Sequence, residues 1–170
     1  AVKRECPSIL PFVTWAYGAA TNLVVLGANV DPLQSATGVR QGDPLSTYLF
    51  SIVLQPVLMA TSLILPTAAY VDDATLVGRT DELRLAFHAF TQGCNSDGRN
   101  LETAPHKCAL TGGDHAEAAA LSAELGVQHA PDGMVCYGTP IGTAEFVCST
   151  LEKRADAIVA RTAAGMGREM

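Results

Sequence analysis

Apolar and polar positions along the chain alternate between helical and strand-like periods, and the changes of period predict its elements. Residues 7–25 read as mainly helical, with Ile9, Leu10, Val13, Trp15, Tyr17 and Leu23 supplying apolar bulk. Asn29, Asp31 and Pro32 mark a loop. Asp43-Pro44 then opens a strong helix, because Asp suits the N-cap and Pro the first helical position, where no amide donor is needed. Leu45, Leu49, Ile52, Val53 and Val57 follow at helical spacing, and Pro56 is expected to kink or end that helix. After Pro66, residues 67–71 and 74–78 read as two strands joined by a two-residue Asp72-Asp73 turn. Thr80 is expected to cap a helix with Leu83, Ala86, Phe87 and Phe90 on one face, stopping at Gly93. Asp114 and Glu117 form a D-x-x-E capping pattern for an Ala-rich helix closed by Gly126. A short strand at Val135-Cys136-Tyr137 and a last amphipathic helix from about Ala144 to Ala164 complete a mixed α+β domain.

The composition narrows the class. The 170 residues suffice for one domain with a sizeable core, and the 16% of charged residues lies below the usual ~25%. Together with a 48% apolar content, this excludes disorder and a coiled coil. The net charge of −6 argues against a free-standing nucleic-acid binder with a basic face. That charge is unevenly placed: residues 72–132 hold ten acids and four bases, while the flanking segments balance. Two long uncharged stretches, 6–30 and 44–71, raise the alternative of a two-span membrane protein. Prolines, glycines and amides interrupt both, and no aromatic belt or Lys/Arg asymmetry flanks them, so buried core elements are preferred and no membrane partner is expected. Five cysteines without a CxxC pair, and no secretory leader, point to a reducing intracellular setting. His88, Cys94, His106, Cys108 and His115 match no zinc-finger spacing and read as core thiols and surface imidazoles. The absence of Met at position 1 is read as the mark of a piece of a longer protein.

Two features carry chemistry. Adjacent carboxylates at a hairpin tip repel each other unless a cation neutralises them, and hard oxygens on a rigid mount suit Mg²⁺, which takes substrate phosphates as further ligands. A solvated acidic turn is the alternative reading of Asp72-Asp73. The second feature is Gly38-Val39-Arg40-Gln41-Gly42-Asp43-Pro44-Leu45-Ser46, a polar loop between glycines that ends at a helix N-terminus. Such a loop lets a ligand approach the backbone, and the helix start offers amides to phosphate oxygens. Alone, it reads first as a capped loop before a core helix.

In tandem these segments resemble the palm of reverse transcriptases of the non-LTR retrotransposon type. Residues 38–50 resemble motif B (G-x-x-Q-G-x-P-L-S-x-x-L-F), and residues 70–73, Tyr-Val-Asp-Asp, resemble motif C. Residues 100–108 are similar to motif D, and residues 137–142, Tyr-Gly-Thr-Pro-Ile-Gly, to the turn near motif E. The segment from Cys6 to Tyr17 resembles the helix joining motifs A and B. The resemblance implies a partial polymerase palm over residues 1–142, an antiparallel hairpin packed on helices, with 143–170 a C-terminal helix leading toward a thumb or connector. It implies Asp72 and Asp73 as catalytic Mg²⁺ ligands and Lys107 as a proton donor to pyrophosphate. It also implies Arg40, Gln41, Gly42 and Tyr70 as contacts to nucleotide or template. RNA template, DNA primer and dNTP are the implied partners, and a nuclear location is expected from the family. Motif A, with its own carboxylate, is not among the motifs found, so the chain alone is expected not to polymerise. In motif D, Asn100 replaces the usual Gly and Thr103-Ala104 replace Leu-Asn. A decayed or domesticated copy, acting at most as an interaction module, is the alternative these departures leave open.

Overall fold

The computed structural model describes residues 2–23, 33–35, 38–40 and 42–166. In chain order these form α1 (Val2–Glu5), a 3-10 turn at Pro7–Ile9, α2 (Leu10–Tyr17), β1 (Thr21–Leu23), β2 (Leu33–Ser35) and α3 (Pro44–Ser62). Next come β3 (Thr67–Tyr70), β4 (Asp73–Leu76), α4 (Thr80–Asn95), a 3-10 turn at Pro105–Lys107 and β5 (Ala109–Leu110). The chain closes with α5 (His115–Leu125), β6 (Gln128–His129), β7 (Gly133–Cys136), β8 (Thr139–Gly142) and α6 (Ala144–Met166). The fold is α+β: antiparallel pairs β1–β2, β3–β4 and β7–β8, and one parallel pair, β5–β6, which the sequence pattern does not announce.

The core sits where α3 meets α4. Leu54, Val57 and Cys94 form a buried cluster, with Phe50, Leu58, Phe90 and Leu101 packed against it. Gly93 allows the approach, because a Cβ there would lie 2.9 Å from Val57 Cγ1. Thr61 is fully buried at the end of α3, and its hydroxyl donates to the Val57 carbonyl at 2.9 Å. Asp43 caps α3 as expected, its Oδ1 accepting from the Leu45 amide at 2.9 Å. Asp114 caps α5 through bonds from the Ala116 and Glu117 amides, and Gly126 ends that helix at φ 68°.

Several expectations are corrected. The helix predicted to residue 25 stops at Tyr17, where the Gly18 amide closes on the Thr14 carbonyl, and Thr21–Leu23 pair as a strand. Thr and Asn favour that outcome, being weak helix formers. Pro56 does not end α3, which runs on to Ser62. An interior proline costs ~3 kcal/mol, whereas burial of Leu54 and Val57 returns about 1.5–3 kcal/mol for each side chain. The cap of α4 is Arg79, whose amide donates to Glu82 Oε2 at 2.9 Å, so Thr80 is the first helical residue and the helix passes Gly93. Cys94 is a core thiol and burial pushes its pKa up, but Cys108 and Cys148 are exposed. The segment expected to form a loop at Asn29, Asp31 and Pro32 lies outside the described residues.

Among the described residues one helix, α3, is long and apolar enough to cross a membrane, and its buried side face lies on α4. The first uncharged stretch instead divides into a 3-10 turn, the eight-residue α2 and β1. Eight residues fall well short of the ~20 that a span requires. Among the described residues of that segment, no helix is long enough for the first span of the two-span alternative.

The candidate active site: a carboxylate hairpin and a capped loop

Strand pairing sets the geometry of the carboxylates. Tyr70 pairs with Asp73, Ala69 with Ala74, Ala68 with Thr75 and Thr67 with Leu76. The two turn residues are therefore Val71 and Asp72, one position earlier than the sequence pattern predicts. Only Asp72 sits in the turn, and Asp73 begins β4. Side chains directly opposite each other share a sheet face, so Asp73, Tyr70, Ala68 and Thr75 lie on one face, and Thr67 and Leu76 on the other. Val71 holds φ 56°, a left-handed conformation that crowds a β-branched side chain. Departures of this kind cost roughly 1–3 kcal/mol and concentrate at functional sites.

Asp72, Asp73 and Tyr70 are all exposed, and among the described residues neither aspartate has an ion-pair partner. Nor do the described residues bring three or more His, Cys, Asp or Glu side chains together as a metal cage. The donor set is two hard oxygen groups at a projecting tip. That matches the habit of Mg²⁺, which binds one or two carboxylates and completes its shell with water and substrate phosphates.

The β7–β8 hairpin braces this unit. Its turn residues Tyr137 and Gly138 hold φ 49° and 79°, as a type I′ turn requires at both central positions. The Tyr137 hydroxyl donates to the Ala68 carbonyl at 3.1 Å and lies 3.4 Å from the Asp73 carbonyl. Its ring meets Tyr70 edge-to-face at 6.4 Å. Beside it, Cys136 Sγ lies 3.2 Å from Thr75 Oγ1. On the outer side, Arg154 of α6 donates to the Gly138 carbonyl. The sequence pattern places Tyr137 in a strand and assigns no role to Arg154. A Tyr-Gly pair between two short apolar runs is a turn signal, but no local pattern names its distant partners.

The loop before α3 is held from beneath. Tyr17 donates its hydroxyl to Asp43 Oδ2 and lies 3.2 Å from Ser46 Oγ, which itself donates to the Arg40 carbonyl. The Tyr17 bond, then the Leu45 amide and the nearby Arg40 charge, hold the Asp43 carboxyl below the usual carboxylate range. Arg40 reaches Thr21 Oγ1 at 2.5 Å and covers the Tyr17 ring at 5.0 Å, so its guanidinium is engaged within the chain. Gly42 holds φ 83°, a backbone conformation that favours glycine. Gln41 lies outside the described residues. Lys107 is exposed at the end of its 3-10 turn, which packs on β6, and it makes no ion pair with either aspartate among the described residues. Asn100 holds φ 50°, the left-handed conformation in which Asn substitutes for Gly.

The family profile described as Reverse transcriptase (RNA-dependent DNA polymerase) matches residues 3–128, most of the chain. The chain belongs to the reverse transcriptase family. No curated protein and no solved structure matches it. The family match spans α1 to β6 and includes both the capped loop and the carboxylate hairpin of this reverse transcriptase domain. It ends before β7, so Tyr137 and Arg154 lie beyond it.

Proposed function

We propose that this reverse transcriptase domain serves template-directed synthesis of DNA from RNA, with Asp72 and Asp73 as its Mg²⁺ ligands. The observation that carries the reading is the hairpin tip, where two consecutive exposed carboxylates, Asp72 in the turn and Asp73 at the start of β4, have no cationic partner among the described residues. Bound divalent ions would supply activation of the primer 3′-hydroxyl and neutralisation of the departing pyrophosphate. Asp72 and Asp73 hold the charge that draws those ions to the tip, and the β3–β4 register sets Asp72 in the turn and Asp73 at the first position of β4. Tyr70, on the same face as Asp73, offers an exposed ring to a nucleotide or primer end. Gly42 precedes the start of α3, where a nucleotide or template backbone can come close, and Gln41, its neighbour in the sequence, is assigned the same contact by the motif. Arg40 serves chiefly to hold this loop on Tyr17 and Thr21, and Lys107 acts as proton donor to pyrophosphate.

The order of the motifs supports the non-LTR retrotransposon type. Residues 1–142 then form the partial palm and 143–170 lead toward a thumb or connector. Motif A is not among the chain's motifs, so the 170 residues by themselves are expected to be silent in primer extension. The deciding experiment is Mg²⁺-dependent extension of a DNA primer on an RNA template by the intact protein. Asp72→Asn is expected to abolish extension, a loss of several orders of magnitude. Extension at the wild-type rate would sink the metal-ligand assignment.

A further inference from the structure

We propose that Tyr137 is a positioning residue for the carboxylate hairpin, a latch that seats β3 and β4 so that the Asp72-Asp73 tip stands in one orientation. The inference rests on the reading of that hairpin as catalytic.

Three independent contacts converge on one face of β3–β4. The Tyr137 hydroxyl reaches the carbonyl of Ala68 and borders that of Asp73, so a single group ties both strands. The Tyr137 ring abuts Tyr70, the residue paired directly with Asp73. The neighbouring Cys136 thiol touches Thr75, the residue paired with Ala68. All four hairpin residues lie on the face that carries the Asp73 side chain. A two-stranded sheet alone is marginal in water and holds its tip poorly. Here β3 also contacts α3 and β4 contacts α4, and the β7–β8 hairpin closes on the face that carries Asp73.

Tyr137 is itself held in place. Its φ of 49° is unusual for a residue other than Gly, Asn or Asp, and the turn that imposes it is pinned by Arg154 from α6. A left-handed tyrosine at a turn would otherwise give way to Asn or Gly, which suit that position better. The contacts its side chain makes with the carboxylate hairpin account for the residue found there.

The test uses hydrogen–deuterium exchange and steady-state kinetics on the intact protein. Tyr137→Phe keeps the ring and removes the hydroxyl. It is expected to raise amide exchange across residues 67–76 about fivefold, with the α3 and α4 amides unchanged. It is also expected to lower kcat for nucleotide addition while leaving the nucleotide KM near its original value, because the tip is misaligned and the nucleotide contacts remain. Tyr137→Ala, which also loses the ring, is expected to exceed both effects. Unchanged exchange across 67–76 in both variants would overturn the latch, whatever happens to extension. Faster exchange with unchanged kcat would leave a fold contact without a positioning role, and would equally overturn the proposal. Failure of the catalytic reading itself appears elsewhere, as retained extension in Asp72→Asn.

Discussion

Asp43 concentrates three interactions in one side chain: it caps α3, accepts from Tyr17 and lies near Arg40. Its carboxyl is held below the usual range, chiefly by the Tyr17 bond, so its ionised form is favoured by folding. The stability it contributes is complete above the unfolded carboxylate value of about 4 and is lost as pH falls through the lower, folded value. Asp43→Ala is therefore expected to lower the melting midpoint by a few degrees at neutral pH and to remove part of the acid-side decline. Asp43→Asn is expected to retain most of the midpoint, since an amide oxygen still caps the helix; calorimetry between pH 3 and 7 checks both. At this scale the legible residues were those with local partners. Asp43, Asp114 and Gly126 act on amides and carbonyls within four positions, which a sequence pattern records. Tyr17 and Tyr137 act across separations of 26 and 69 residues, and nothing in their neighbourhood names the partner.

Among elements, α3 and the β3–β4 hairpin show where pattern reading succeeds and where it slips. The start of α3 was legible because Asp-Pro is specific to a helix entry. Its continuation through Pro56 was not, since the burial that outweighs the proline depends on α4. The hairpin was legible as two short strands around a turn. Its register was not, because the residue that enters the left-handed conformation is Val71, which no turn preference selects. The α3–α4 contact yields a prediction at the same scale. Glycine within a helix costs about 1 kcal/mol relative to alanine, and Gly93 is retained where a Cβ would press on Val57. Gly93→Val adds two further methyl groups to that contact. It is expected to destabilise by about 1–3 kcal/mol, read from chemical denaturation.

At the scale of the whole molecule, the described residues show a buried cluster at the α3–α4 contact and four separate two-stranded pairs. Leu54 lies in that cluster at 4% exposure, and Leu54→Ala is expected to cost about 2–5 kcal/mol in a denaturant titration. The α+β class and the palm resemblance were readable from motifs B and C. The parallel β5–β6 pair was not, since two-residue strands leave no periodic signature. The net charge of −6, which at first weighs against nucleic acid, falls in the segment that opens with Asp72 and Asp73. The Tyr137 contact also has a kinetic consequence. The carboxylate hairpin closes across two residues, and hairpins of this kind form in ~1–10 μs. The Tyr137 bond to Ala68 closes a loop of 69 residues and carries a correspondingly larger entropic barrier. In the order of folding, the turn that carries the aspartates forms early and is seated late.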